Sequence, residues 1–252
     1  MKDNDSLQSE YFEAYEDLEI HHLMLQDEPR NEVYRKAVFN NKEFISGKIV
    51  LDVGAGTGIL SIFCAQAGAS KVFAVEASGL YKIAEEVVKE NQLEDIVEVI
   101  HCKVEDLTLP SDLKVDIIIS EWMGFYLLHE GMLDSVIMAR DKFLKDGGLM
   151  FPESATIYSA PCIVPSMYSF WNNISGISMQ SVGKRYRELK SQKPEVLDIS
   201  KDNLLTEGSS IFWADLRDIT LEELDTLYYQ NIMNLSYYPR PRAIHQPTGN
   251  KL

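Results

Sequence analysis

The chain has 252 residues, is 45% hydrophobic and 25% charged, and carries a formal net charge of -15. That is enough chain for one large domain or two smaller ones around a sizeable core. The acidic balance argues against a general affinity for nucleic acid or an anionic membrane, and permits attraction to basic partners.

Residues 1–10 are polar and are expected to be disordered. Tyr11 and Tyr15 are spaced i, i+4 and would share a helical face. Ile20, Met24 and Leu25 continue an apolar stripe, with His21 beside it. Asp27 and Pro29 suit the cap and first turn of a second helix, with Val33, Tyr34, Ala37 and Val38 as its apolar face. After Gly47, an apolar strand over Ile49–Val53 runs into the turn Gly54, Ala55, Gly56, Thr57, Gly58. A helix then starts at Ile59 and closes at Gly68. Strand, glycine turn and helix are how an α/β sheet opens a nucleotide pocket. Glycine lets the backbone approach a ligand that a Cβ would exclude, and the helix start offers free N–H groups. The spacing is G-x-G-x-G, not G-x-G-x-x-G, and no P-loop lysine follows. The next strand, 71–75, ends in Glu76, an acid placed to accept hydrogen bonds from both ribose hydroxyls. The pair fits S-adenosylmethionine (SAM) or NAD; the plainer alternative is a tight turn and a surface acid.

The stretch 81–91 reads as a helix with Ile83, Ala84, Val87 and Val88 inward, and 96–100 as a strand. Val104 to Leu107 reads as a loop and 115–119 as a buried strand. A helix over 131–144 carries Leu133, Val136, Ile137, Arg140 and Leu144 at helical spacing, with Gly147 and Gly148 expected to end it. This alternation implies a parallel sheet with helices on both faces and a ligand site beyond the C-terminal strand ends. Gly54, Gly56, Gly58, Glu76, Glu105 and Glu121 all fall just past such ends. From residue 151 the pattern changes. Pro152, Pro161 and Pro165 punctuate β-like runs, which sets a domain boundary near Pro152. The stretch 167–186, around Trp171, reads as a helical or irregular excursion, 208–216 as a strand, and the final residues as a loose tail.

Cys64, Cys102 and Cys162 are scattered and odd in number, with no zinc spacing and no disulfide framework. Cys64 falls on the apolar helix as a small hydrophobe. The acidic start has no signal-peptide core, and no apolar run is long enough to span a bilayer. An intracellular setting is expected.

Glu121 and Glu130 flank the aromatic run Trp122, Met123, Gly124, Phe125, Tyr126, Leu127, Leu128, His129. They are nine residues apart, so a single helix turning about 100° per residue would point them to opposite faces. To converge they need a bend, which Gly124 allows. Two carboxylates facing one pocket repel unless a cation sits between them, and a guanidinium's planar fork is the natural one. The plainer reading is a strand-end acid followed by a helix-capping acid.

Four motifs in this order resemble the protein arginine methyltransferase family, of the type that makes asymmetric dimethylarginine. They are Tyr11, Phe12 and Tyr15 with Ile20, His21, Met24 and Leu25; Val53 through Gly58; Val104 with Glu105; and Ser120 to Gly124 through Glu130, which is similar to the family's double-Glu hairpin. The resemblance covers residues 10–160 closely and the stretch after them more loosely. It implies a SAM-binding α/β domain with a Rossmann-like parallel sheet over 11–151, with capping helices over 11–46. A partial β-barrel over 152–230 would follow, with a dimerisation arm near 167–186, then an atypical tail over 231–252. Carried over, His21 and Arg30 close over SAM, with Arg30 on its methionine carboxylate and Met24 near the reactive methyl. Gly54, Gly56 and Gly58 pass the methionine end, Glu76 holds the ribose, and Val104 with Glu105 meets the adenine. Glu121 and Glu130 clamp the substrate guanidinium. The implied activity is methyl transfer to arginine in proteins such as histones or Gly/Arg-rich segments. A homodimer through the arm near Trp171, residence in nucleus or cytoplasm, and no direct contact with nucleic acid or membrane complete the expectation. The chain departs from the family in lacking its Thr-His-Trp loop and most of the second barrel half. A truncated form is therefore expected, and the alternative is a deficient chain that binds SAM or a full-length partner without efficient turnover. A small-molecule methyltransferase or an NAD enzyme is the third reading, against which the double-Glu hairpin counts.

Overall fold

A computed structural model describes residues 17–110, 113–129, 131–192 and 194–226. The expectations for residues 1–10, for Tyr11, Phe12 and Tyr15, for Glu130 and for the tail from 231 lie outside the described residues. The chain divides into two compact units: residues 156–213 form one, and the residues on either side of that stretch form the other.

The first unit is built on five parallel strands, β1 (Ile49–Val53), β2 (Lys71–Glu76), β3 (Val97–His101), β4 (Val115–Ile119) and β5 (Leu144–Phe151). Their order is β3-β2-β1-β4-β5. The chain therefore works outward in one direction from β1, then returns to its other side, which places a topological switch point between β1 and β4. Val50, Leu51, Val72, Ala74, Ile117 and Ile119 are buried, as continuous apolar strands covered on both faces must be.

Helices accompany the strands, among them α1 (Leu18–Gln26), α2 (Glu28–Asn40), α3 (Lys42–Ile45), α4 (Ile59–Gln66), α5 (Tyr81–Glu90) and α6 (Met132–Phe143). The expected start of α2 is present. Asp27 caps it by accepting from the Arg30 backbone N–H at 3.2 Å, with Pro29 in the first turn. Two apolar faces are narrower than expected. On α2, Tyr34 and Val38 are buried, whereas Val33 is 67% exposed, because one residue off the stripe is already about 100° around the helix. On α1 the buried residue is His21, while Leu23 and Leu25 face outward. A third expectation is corrected at the end of α6. The helix stops at Phe143 and passes directly into β5, so Gly147 and Gly148 lie inside the strand. Gly147 has φ 72°, and the β4–β5 pairing shifts register between Val115 and Ile117, so the glycine serves a bulge instead of a helix stop.

The second unit carries most of a two-stranded sheet, β6 (Ser154–Ser159) with β7 (Ser209–Asp215). Between these strands run α7 (Pro165–Tyr168), a 3-10 turn (Ser169–Asn172) and α8 (Gln180–Lys190). The Trp171 indole lies so close over Gly183 that a Cβ there would sit 2.5 Å from the ring. Phe170 and Tyr186 pack on the same indole, with centroids 5.1 and 5.4 Å away.

After β7 the chain rejoins the first unit. Leu216 N–H donates to the Glu153 carbonyl at 2.9 Å, and Arg217 pairs with the Glu153 carboxylate at 2.6 Å. The buried Arg140 of α6 donates to the carbonyls of Leu216 and Ile219 at 2.8 and 2.7 Å.

Candidate active site

The turn after β1 crosses the C-terminal edge of the sheet. Gly54 has φ 72°, so its backbone calls for glycine, and a Cβ there would have to push aside the terminal methyl of Met132. At Gly56 (φ 55°) the position of a Cβ is 3.7 Å from the His21 ring, which brings α1 against the turn. Gly58, also left-handed, caps α4. Glu76 is buried at the end of β2. Its Oε2 accepts from Gly56 N–H at 2.7 Å, and its Oε1 accepts from Ser78 N–H at 2.8 Å and Ser78 Oγ at 2.7 Å. Three donors fix this carboxylate; Oε1 is filled by two of them, and Oε2 keeps acceptor capacity for a ligand.

Beneath the turn, Asp52 of β1 is wholly buried. Its Oδ2 accepts from Ser61 Oγ at 2.6 Å, and its Oδ1 has no partner among the described residues. Burial pushes this carboxyl up to about 7; the Ser61 hydrogen bond opposes the shift and the nearby Glu76 adds to it.

Past β3, Val104 is buried at the start of a 3-10 turn, Val104–Asp106, where a loop was expected. Glu105 accepts from Ser135 Oγ of α6 at 2.5 Å. Lys142 donates to the carbonyls of Glu105 and Leu107 at 3.1 and 2.8 Å, tying the turn to the same helix.

Past β4, Ser120 Oγ donates to the Val53 carbonyl at 2.7 Å, joining the ends of β1 and β4. The Tyr34 hydroxyl donates to the Ser120 carbonyl at 3.0 Å. Burial, and then the Glu121 carboxylate, push this phenol far above its ordinary range, so it acts as a neutral donor. Arg30 Nη1 pairs with Glu121 Oε2 at 2.9 Å, and Arg30 Nη2 donates to the Met24 carbonyl at 2.5 Å. Expected cofactor residue and expected catalytic residue are thus in direct contact. The bend after Glu121 differs from expectation. Gly124 and Leu127 exchange backbone hydrogen bonds of 3.2 and 3.0 Å, but the positive φ angles fall on Tyr126 (53°) and Leu127 (69°), not on Gly124. Backbone bonds from Leu128 N–H to Tyr126 O (2.8 Å) and from His129 N–H to Phe125 O (3.1 Å) hold the reversal there.

The structure therefore gathers His21, Gly54, Gly56, Gly58 and Glu76 at one place, and Met24, Arg30 and Glu121 at another. The link from Ser120 to Val53 joins the two. Val104 and Glu105 reach the same edge through α6, whose first residue, Met132, touches Gly54. Sequence reasoning missed Ser78, Ser135, Met132 and Tyr34; only Tyr34 left a trace, as a polar group on an apolar stripe. Among the described residues no group of three His, Cys, Asp or Glu side chains is arranged to hold a metal. A groove of about 530 Å³ between α1, α4 and α5 is lined by His21, Thr57, Leu18, Ile62, Phe63 and Val87 among others; it shares His21 and the glycine turn with this site but has none of these carboxylates in its wall.

Residues 50–148 match the family model described as a methyltransferase domain. The chain is 48% identical over 221 residues to "Probable protein arginine N-methyltransferase 6" of Arabidopsis thaliana, covering 86% of this chain and 50% of the relative. Among solved structures it is similar to PRMT6–SAH, at TM-score 0.71 and 35% identity, covering 82% of this chain and 68% of that one. It is also similar to a chain of the Trypanosoma brucei PRMT1 enzyme–prozyme heterotetrameric complex with AdoHcy, at TM-score 0.72 and 38% identity, covering 84% and 66%. The chain spans about half the length of the first curated relative it matches.

Proposed function

The chain belongs to the protein arginine N-methyltransferase family, and we propose that it transfers methyl groups from SAM to guanidino nitrogens of arginine in proteins, giving mono- and asymmetric dimethylarginine. The observation that carries this reading is Glu121, a carboxylate at the end of β4 that already engages a guanidinium, that of Arg30, at 2.9 Å.

The residues present fit SAM. The positive-φ glycines Gly54 and Gly56 expose backbone without a Cβ on the turn, and Glu76 is held as an acceptor for a ribose hydroxyl. Val104 and Glu105 would meet the adenine, and His21, Met24 and Arg30 the methionine end, with Arg30 toward its carboxylate. The cofactor supplies a methyl group already activated by its sulfonium. The protein's task lies with the other reactant. Arginine is a poor nucleophile because its charge is delocalised and its pKa exceeds about 12. Glu121, with Glu130 as the second arm, would draw the positive charge to one side of the guanidinium and leave the other terminal nitrogen aligned. Alignment and fixed charge then carry most of the barrier reduction. Tyr34 and Ser120 hold the strand end that presents Glu121. One of the two glutamates accepts the proton late in the step.

The net charge of -15 supports cationic substrates, histone tails or Gly/Arg-rich segments, met in the nucleus or cytoplasm. Self-association through the aromatic cluster at Trp171 is part of the reading. The test is transfer of labelled methyl from SAM to a histone mixture by the chain and by Glu121→Gln, with SAM binding followed by calorimetry. The variant is expected to lose about 10²–10³-fold in rate while SAM binding changes little. Equal transfer by both proteins would overturn the assignment.

A further inference from the structure

The turn that follows Glu121 presents two aromatic rings to solvent. Phe125 is 61% exposed and Tyr126 65% exposed. Exposed rings alone are ordinary on a protein surface. Here they sit on a backbone that resists chance. Tyr126 and Leu127 both take positive φ, a region that non-glycine residues visit rarely, and four backbone hydrogen bonds within 124–129 keep them there. The Phe125 ring is also braced edge-on by His129, with centroids 6.5 Å apart. Buried Trp122 anchors the start of the same segment. A strained, well-bonded turn whose product is two outward rings next to a guanidinium-binding carboxylate is built to touch something.

Reach and charge identify what that is. Four peptide units separate Phe125 from Glu121, so their Cα atoms lie at most about 14 Å apart. A substrate whose target arginine meets Glu121 therefore has its next few residues within reach of these rings. The chain carries 39 acidic against 24 basic residues, so the complementary segment is cationic. A flat guanidinium stacks on an aromatic face better than a compact, strongly hydrated ammonium does.

We propose that Phe125 and Tyr126 form a stacking subsite for a second arginine side chain in the substrate, within about four residues of the methylated one. The inference rests on the arginine methyltransferase reading. It adds a preference for closely spaced arginines and assigns that preference to ring faces, not to carboxylates.

The test uses three synthetic peptides that share one target arginine and carry arginine, lysine or norleucine three residues away. KM and kcat are measured for the chain and for Phe125→Leu with Tyr126→Leu. The same peptides are also titrated by fluorescence anisotropy. The second arginine is expected to lower KM, and the dissociation constant, about three- to tenfold relative to lysine, with kcat unchanged. The double variant is expected to lose this ratio while binding SAM normally. No arginine-over-lysine preference in the parent chain, or an equal preference in the variant, overturns the proposal. Parallel losses with all three peptides also overturn it, since that marks a general apolar contact. Absent methyl transfer with the anisotropy ratio intact would instead count against the activity and leave the subsite standing.

Discussion

The two ends of the candidate site are made in opposite ways. At the glycine-turn end Glu76 is buried, and its carboxylate is satisfied by three donors from its own neighbourhood. At the Glu121 end the carboxylate is met by a long side chain from another helix, and the following turn is exposed and strained. The first end is suited to one unvarying ligand. The second is suited to ligands that differ, because its contacts can be exchanged without opening the core. On this contrast, substitutions at the first end should cost stability and cofactor affinity, and those at the second should cost little stability or even add some.

The largest effect expected on stability concerns Asp52. Its carboxyl is pushed up to about 7 in the folded chain against 3.8 ordinarily. The unfolded chain therefore binds fewer protons between these values, and stability should fall as pH rises from about 4 to about 7, then level off. At about 1.36 kcal/mol per pKa unit the penalty is at most about 4 kcal/mol. Urea unfolding across this range should show the fall in the parent chain and a flatter profile in Asp52→Asn; identical profiles would remove Asp52 as the cause. Next comes Gly54→Ala. The left-handed backbone costs about 1–2 kcal/mol, and the new methyl displaces Met132. Adding Met132→Ala should return only the steric part, so a complete rescue in thermal melts would argue against a backbone requirement. Glu76→Gln turns one oxygen into an amide facing the Gly56 or Ser78 donors, which should weaken SAM binding by about 10- to 100-fold, the value of a charged hydrogen bond. Calorimetry showing unchanged affinity would mean that the acid is structural only. The smallest effect, with reversed sign, is Leu127→Gly. Relief of its φ of 69° should leave stability equal or higher by up to about 1 kcal/mol. A loss beyond 1 kcal/mol would show that the Leu127 side chain packs more than it strains.

Much of the first end was legible in the sequence. Apolar strands of fixed period, a glycine turn and an acid at a set distance are local signals, and each fell where expected. The contact between Arg30 and Glu121 spans 91 positions, and nothing local announces it. Ser78 and Ser135 were missed because a serine that orients an acid reads like any other serine. Gly147 and Gly148 were misread because a glycine pair ends a helix as readily as it allows a bulge, and only pairing with β4 decides between them. The bend was assigned to Gly124 on propensity, yet hydrogen bonding placed it on Tyr126 and Leu127, where propensity argues against it.

The closure formed by Glu153, Leu216 and Arg217 has a consequence for how this chain can vary. The backbone leaves the first unit and returns to it at a single doorway, sealed by a backbone hydrogen bond and an ion pair. Residues 156–213 are thus a parenthesis in the covalent sentence of the first unit. Lengthening the chain between β6 and β7 closes a longer loop at the same place, and the entropy of the closed loop grows only with the logarithm of its length. Insertions and deletions should be tolerated inside that parenthesis far more readily than anywhere between Ile49 and Phe151.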